Sequence, residues 1–195
     1  MRDPFADEIL DLYKEKNWKE IVEKYHDHPE RSKVLWVFPT EDNFQFLKEC
    51  LDSLACDKIM SVGCGTGLLE WMISEATGIP VSGVEVDSAW WNSKYAPPTF
   101  IPLLLTSSKL DKDIINVLQN STNTALTFCY FNNRPAFEDY INFFSGTCLI
   151  IIGPGDSKGV HTDPKPFNDV SEDWLLYKWQ EVRSSSDFIA VYCKK

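Results

Sequence analysis

With 195 residues and a formal net charge of −10 at neutral pH, the chain is long enough to bury a substantial core, and its acidity opposes long-range attraction to phosphate backbones. No stretch approaches the roughly 18 to 20 uninterrupted apolar residues that cross a bilayer, and the acidic, amphipathic opening MRDPFADEILDLYKEK lacks the basic-then-apolar layout of a signal peptide. A cytoplasmic place is expected, with the nucleus left open, and direct nucleic-acid and membrane partners are disfavoured.

The first 56 residues have a helical texture. Ile9, Leu12 and Tyr13, then Ile21, Val22 and Tyr25, recur at three- and four-residue steps, the spacing of a buried stripe on amphipathic helices. Thr40, followed by Glu41 and Asp42, is placed to cap a further helix that buries Phe44, Leu47, Leu51 and Leu54. From residue 57 short apolar runs alternate with helical segments. Strands are expected near 58–63, 80–86, 99–105, 124–131 and 147–153, with helices at 67–77, 88–94, 110–119 and 135–145. Near-continuous apolar strands of this kind belong to a parallel sheet covered on both faces. Residues 174–182 and 187–193 break the alternation: two strand-like runs joined by Arg183-Ser184-Ser185-Ser186 read as an antiparallel hairpin closing the sheet. The expected architecture is α/β, a doubly wound, mostly parallel sheet with a C-terminal antiparallel β-hairpin. It forms one domain over 1–195, divided into a helical cap (1–56) and a core (57–195). The six cysteines (Cys50, Cys56, Cys64, Cys129, Cys148, Cys193) include no CxxC pair and read as free thiols.

The most informative stretch is IMSVGCGTGLLE, residues 59–70, which places Gly63, Gly65 and Gly67 between the first strand and its helix. In a doubly wound sheet that loop faces the ligand-binding edge. A dinucleotide fingerprint requires G-x-G-x-x-G, but the third glycine position here is Leu68 and the spacing is G-x-G-x-G. Together with GVEVD about twenty residues on, the pattern resembles class I S-adenosylmethionine-dependent methyltransferases, and the resemblance runs from about residue 57 to the C-terminus. It implies a seven-stranded sheet with an antiparallel last strand, and a glycine loop passing under the methionine part of S-adenosyl-L-methionine. By the same resemblance Glu85 holds the ribose hydroxyls, with Asp87 the lesser candidate. Many members carry an acid two places before the first glycine, where it helps bind the cofactor's amino group; this chain has Ser61, whose hydroxyl can accept the same hydrogen bond. The implied cofactor set is Ser61, Gly63, Cys64, Gly65, Gly67 and Glu85.

Methyl transfer needs positioning more than a nucleophilic side chain, so the acceptor is sought at strand ends. Asn132-Asn133-Arg134-Pro135 is a distant variant of the (Asp/Asn)-Pro-Pro-(Tyr/Phe) tetrad of amino-directed methyltransferases, making Asn132 an amine-orienting candidate; equally, Asn132 and Asn133 form a turn and cap the next helix. The glycine- and proline-rich loop 153–167 offers His161 as a proton acceptor, and Asp156 stands at its start. Trp90-Trp91 either wall the adenine or pack in the core. Residues 34–41 lie where related enzymes place a cofactor gate, and equally suit docking of the helical cap. His26-Asp27-His28 reads as a solvated turn, not a metal site. The function expected is methylation of a small-molecule or protein nitrogen. The rival reading is a silent methyltransferase fold serving as partner-binding scaffold or cofactor sensor, the partner then being a protein.

Overall fold

A computed structural model of the chain describes residues 4–168 and 170–195. Three helices, α1 (Pro4–Lys14), α2 (Trp18–Lys24) and α3 (Glu41–Ser53), precede a β/α series: β1 (Lys58–Val62), α4 (Leu68–Thr77), β2 (Val81–Val86), α5 (Ser88–Trp91), β3 (Leu103–Thr106), α6 (Lys112–Gln119), β4 (Thr124–Cys129), α7 (Arg134–Phe143) and β5 (Cys148–Pro154). The hairpin β6 (Trp174–Val182) and β7 (Asp187–Lys194) completes a seven-stranded sheet of order β3-β2-β1-β4-β5-β7-β6. β1 to β5 pair in parallel, while β7 runs antiparallel to both β5 and β6. Strand order reverses between β1 and β4, the position where such sheets open a ligand crevice. No helix among the described residues is long and apolar enough to cross a membrane.

Strand side chains alternate between two cores. Ile59, Ala125, Cys148, Ile150 and Ile152 pack with α1 to α4, whereas Met60, Val62, Leu126, Phe128, Leu149 and Ile151 pack with α6 and α7. By the same parity Ser61 and Thr127, opposite each other in the β1–β4 register, face the α4 side.

The helical cap is tied to the sheet by specific contacts. Thr40 Oγ1 accepts the Asn43 backbone N–H at 3.2 Å and Asn43 Oδ1 accepts that of Thr40 at 2.8 Å, a reciprocal capping box opening α3. Asn43 Nδ2 donates onward to Gln180 Oε1 (2.8 Å) and Glu181 O (3.1 Å) on β6. Thr40→Ala should therefore cost about 1 kcal/mol in urea denaturation; an unchanged midpoint would show that the Asn43 links alone fix this helix start. At the hairpin tip Arg183, with φ of 51°, donates to Phe38 O (2.9 Å), Val22 O (2.8 Å) and Glu23 Oε1 (2.9 Å). A tip that reads as a plain polar turn thus holds segment 34–38 and α2 against the sheet.

Several boundaries differ from the sequence expectation. The run at 99–105 joins the sheet only from Leu103: Phe100 N–H donates to Thr66 O (2.8 Å), which turns 99–102 over the glycine loop. β4 ends at Cys129 instead of 131 because Tyr130 adopts a left-handed φ of 50°. The helix at 88–94 shortens to Ser88–Trp91, where Asn92 Nδ2 bonds Ser88 O at 2.7 Å.

Candidate functional site

At the carboxyl ends of β1 and β4 lies a cavity of about 300 Å³. Its floor is the glycine loop with Leu68, Leu69 and Glu70 from the start of α4, and its far wall is Cys129 and Tyr130. Residues 32–36 cover it, so Val34, Leu35 and Trp36 of the segment 34–41 line the cavity and the rest of that segment does not. Trp36 is 61% exposed and stacks on Tyr130 with ring centroids 5.8 Å apart. A second cavity, about 150 Å³, is lined by Val62, Val84, Leu110, Phe131 and Tyr140, with Glu85, Ser107, Ser108 and Asp139 among its polar groups. Gly63 lines both cavities.

The three glycines have different reasons to be glycine. All have positive φ. A Cβ on Gly67 would overlap the Ile101 side chain, reaching 2.9 Å from its Cδ1, so this position lets the chain enter α4 tightly against the segment before β3. A Cβ on Gly65 would meet nothing within 4 Å, leaving room for a ligand to approach the backbone.

Glu85, at the end of β2, accepts the Gly65 backbone N–H on Oε1 at 2.5 Å and the Val86 N–H on Oε2 at 3.3 Å. The Trp91 side chain also hydrogen-bonds this carboxyl. Burial raises its proton affinity above the ordinary carboxylate range, and these three donors pull it back. Asp87, the lesser candidate, is occupied as the N-cap of α5 through the Trp90 backbone N–H (3.0 Å). Of the two tryptophans, Trp91 lines the larger cavity and Trp90 is exposed; neither lines the smaller one. Cys64 stands in the loop, its thiol pushed far above the usual range by burial and then by Glu70 and Glu85.

Ser61 is fully buried and does not itself line either cavity. Its hydroxyl donates to Glu70 Oε1 at 2.7 Å. Glu70 is a cavity-lining acid that sequence reasoning missed. It closes the stretch IMSVGCGTGLLE, but as a lone acid in a first helical turn it reads as dipole compensation, and only its 2% exposure shows otherwise.

The acceptor-side candidates are placed differently. Asn132 and His161 are both exposed and line neither cavity. They sit on loops laced together: Asn132 forms a parallel bridge with Asp163, Asn133 N–H donates to Asp163 O (3.1 Å), and Asp163 N–H donates to Phe131 O (2.9 Å). Asn133 caps α7 through the Ala136 N–H at 3.2 Å. Asp156 pairs with Lys165 at 2.6 Å. In the turn 26–28, the His28 ring stacks on Phe5 with centroids 4.3 Å apart, joining it to α1.

Neither a protein-family model nor a curated protein sequence matches the chain. Solved structures do. A mutant of MtNAS superposes with a TM-score of 0.55 at 12% identity, covering 97% of this chain and 75% of that one. The same mutant in complex with S-adenosylmethionine gives 0.50 at 13% identity, over 97% and 77%. The methyltransferase domain of bacterial CtHen1-C gives 0.50 at 14% identity, over 79% of this chain and 97% of that one. The fold is that of the class I methyltransferases. Within the methyltransferase fold the glycine loop after β1 and the antiparallel hairpin stand where the sequence places them.

Proposed function

We propose that this chain binds S-adenosyl-L-methionine across the two cavities and transfers its methyl group to a small-molecule or protein nitrogen. The observation that carries this reading is the junction at Gly63: the apolar slot and the larger cavity meet at the glycine loop, and Glu85 lies beside it bonded to Gly65 N.

The residues fit the group. Val62, Val84, Phe131 and Tyr140 form an apolar slot suited to a planar base, with Ser107 and Ser108 at its polar side. Glu85 has acceptor capacity left for a ribose hydroxyl, since a carboxylate offers about four lone-pair sites and the Gly65 N–H, the Val86 N–H and the Trp91 side chain occupy three. Gly65 leaves the backbone open to the chain beyond the ribose. Gly63, Cys64 and Gly67 shape that loop, and Ser61 supports it from below. When bound, the cofactor supplies a methyl on a sulfonium, displaced in line by the acceptor.

This chain's own part is to orient and to exclude water. Leu35, Trp36, Leu68, Leu69 and Tyr130 give the larger cavity an apolar lining that would keep the reacting centre dry. Tyr130 is held as a neutral phenol, its proton affinity raised by burial and by Asp187, so it orients and does not act as a base. Asn132 and His161 are assigned the outer contact with the acceptor, Asn132 as amide acceptor for an N–H and His161 as proton acceptor. The acidic balance of the chain supports this substrate class over nucleic acid.

Titration calorimetry with S-adenosylmethionine and S-adenosylhomocysteine tests the reading. Micromolar binding is expected, and Glu85→Ala should weaken it by about 1–3 kcal/mol, the cost of unmade hydrogen bonds to a charged group. Absence of binding at high micromolar concentrations would overturn the proposal, and an unchanged affinity in the variant would move the ribose elsewhere.

A further inference from the structure

Glu70 is 2% exposed yet contributes to the wall of the larger cavity. Among the described residues its one side-chain partner is the Ser61 hydroxyl, and no lysine, arginine or histidine pairs with it. Thr127, opposite Ser61 in the sheet register, is also buried, and its Oγ1 has no hydrogen-bond partner among the described residues. A carboxyl in such a place is costly to ionise unless a cation joins it. Burial accordingly lifts its pKa to about 7, the Ser61 hydrogen bond opposing the rise and Glu85 adding to it.

The titratable groups facing Glu70 are Glu85 from the end of β2, Cys64 from the glycine loop and Cys129 from the end of β4. Both thiols stay neutral, pushed up first by burial. Lys33 lines the same cavity from the covering segment, where its amine is engaged with Glu30. Among the described residues, therefore, acids and neutral groups face Glu70 and no cation pairs with it.

Resting on the reading above, we infer that Glu70 is the anionic partner of the ligand's ammonium group, supplied from α4 and oriented by Ser61, so that binding of an amino-acid-bearing nucleoside is coupled to loss of one proton from the protein. The Ser61 position thus keeps its place in ammonium recognition as the support of an acid nine residues on. The balance is simple: protonated Glu70 releases its proton to solvent, and the carboxylate left behind pairs with the incoming ammonium.

The test is calorimetry from pH 5.5 to 7.5, a window below the ordinary α-amino pKa of about 8, so the ligand's amino group is mainly cationic throughout. The probes are S-adenosylhomocysteine, which carries the ammonium, and 5′-methylthioadenosine, which does not. For S-adenosylhomocysteine the dissociation constant should fall about tenfold or more across the window, as expected when a group of pKa near 7 must ionise first. Titrations at pH 6.5 in phosphate and in imidazole should differ by the ionisation heat of the released proton. In Glu70→Gln, whose thermal midpoint at pH 5.5 should match that of the parent, binding of S-adenosylhomocysteine should become independent of pH and weaker at pH 7.5 by about tenfold or more. Binding of 5′-methylthioadenosine should be flat and equal in both proteins. Ser61→Ala should move the midpoint of the pH dependence upward, because the hydrogen bond favouring the carboxylate is gone.

A pH-independent affinity for S-adenosylhomocysteine in the parent, or the same affinity in Glu70→Gln, would overturn the assignment of Glu70 alone. Binding of 5′-methylthioadenosine without S-adenosylhomocysteine would do the same. Failure of both probes to bind would instead overturn the methyltransferase reading, and this inference with it.

Discussion

Asp187→Ala is expected to lower the free energy of unfolding by about 3–5 kcal/mol, the cost of leaving a buried charge without its partner. Asp187 is 3% exposed at the start of β7. Its Oδ1 accepts the Tyr130 hydroxyl proton at 2.5 Å, and its Oδ2 accepts from Ser185 Oγ at 3.0 Å and pairs with the Lys158 amine. Lys158 is itself mostly buried and lies 5.8 Å from the centre of the Tyr130 ring. One carboxylate therefore joins the end of β4, the short 3-10 turn Asp156–Lys158 and the hairpin. The residue it fixes, Tyr130, takes a left-handed φ of 50° at the mouth of the larger cavity, a conformation that surrounding contacts must hold. Urea denaturation of Asp187→Ala and of the double variant with Lys158→Met separates the effects. The second substitution should recover part of the loss, because it removes the stranded cation. A loss below about 1 kcal/mol in the single variant would show that water reaches this cluster and replaces the carboxylate.

Gly67→Ala should cost about 2–4 kcal/mol, and Gly65→Ala only about 1–2 kcal/mol. Both substitutions force an L-residue into left-handed backbone, with φ of 78° and 60°. Only at Gly67 does the new methyl also run into Ile101, a core side chain wedged between the glycine loop and Gly83 of β2. Close-packed interiors yield little to an added carbon, so the difference between the two variants measures that overlap. Thermal denaturation of both variants checks it: equal losses would mean Ile101 moves aside freely. In ligand binding the order should reverse, since Gly65 faces open space where a ligand approaches and Gly67 does not.

These two sites mark where sequence was readable and where it was not. Gly63, Gly65 and Gly67 were legible as a loop under a ligand because their spacing after an apolar strand is itself the signal. So were the alternation of strands and helices over 57–153 and the closing hairpin at 174–193: period and punctuation are local properties. The Thr40 cap was legible for the same reason. Asp187 carried no signal at all. It lies next to a serine turn, where an acid normally meets water, and becomes a buried hub only because β7 inserts between β5 and β6. Arg183 was likewise read as part of a polar linker, although it pins Phe38 and Val22 from the far end of the chain.

The candidate site divides along the same line. Glu85 could be found by its distance from the glycines, and the structure puts it 2.5 Å from Gly65 N. Asn132 stands out only through a distant tetrad resemblance and His161 only as a proton acceptor in the loop 153–167, and the fold leaves them exposed and outside both cavities. Ser61 looked like a departure from an acidic position when read along the chain. Strand parity turns it toward α4, where Glu70 waits at 2.7 Å. By itself the sequence determined the order of elements, the sheet's two-faced burial and the glycine loop, because each is written in short-range periodicity. The tertiary structure alone decided which acids are buried and what they face, since burial of a charge depends on segments that meet from distant parts of the chain.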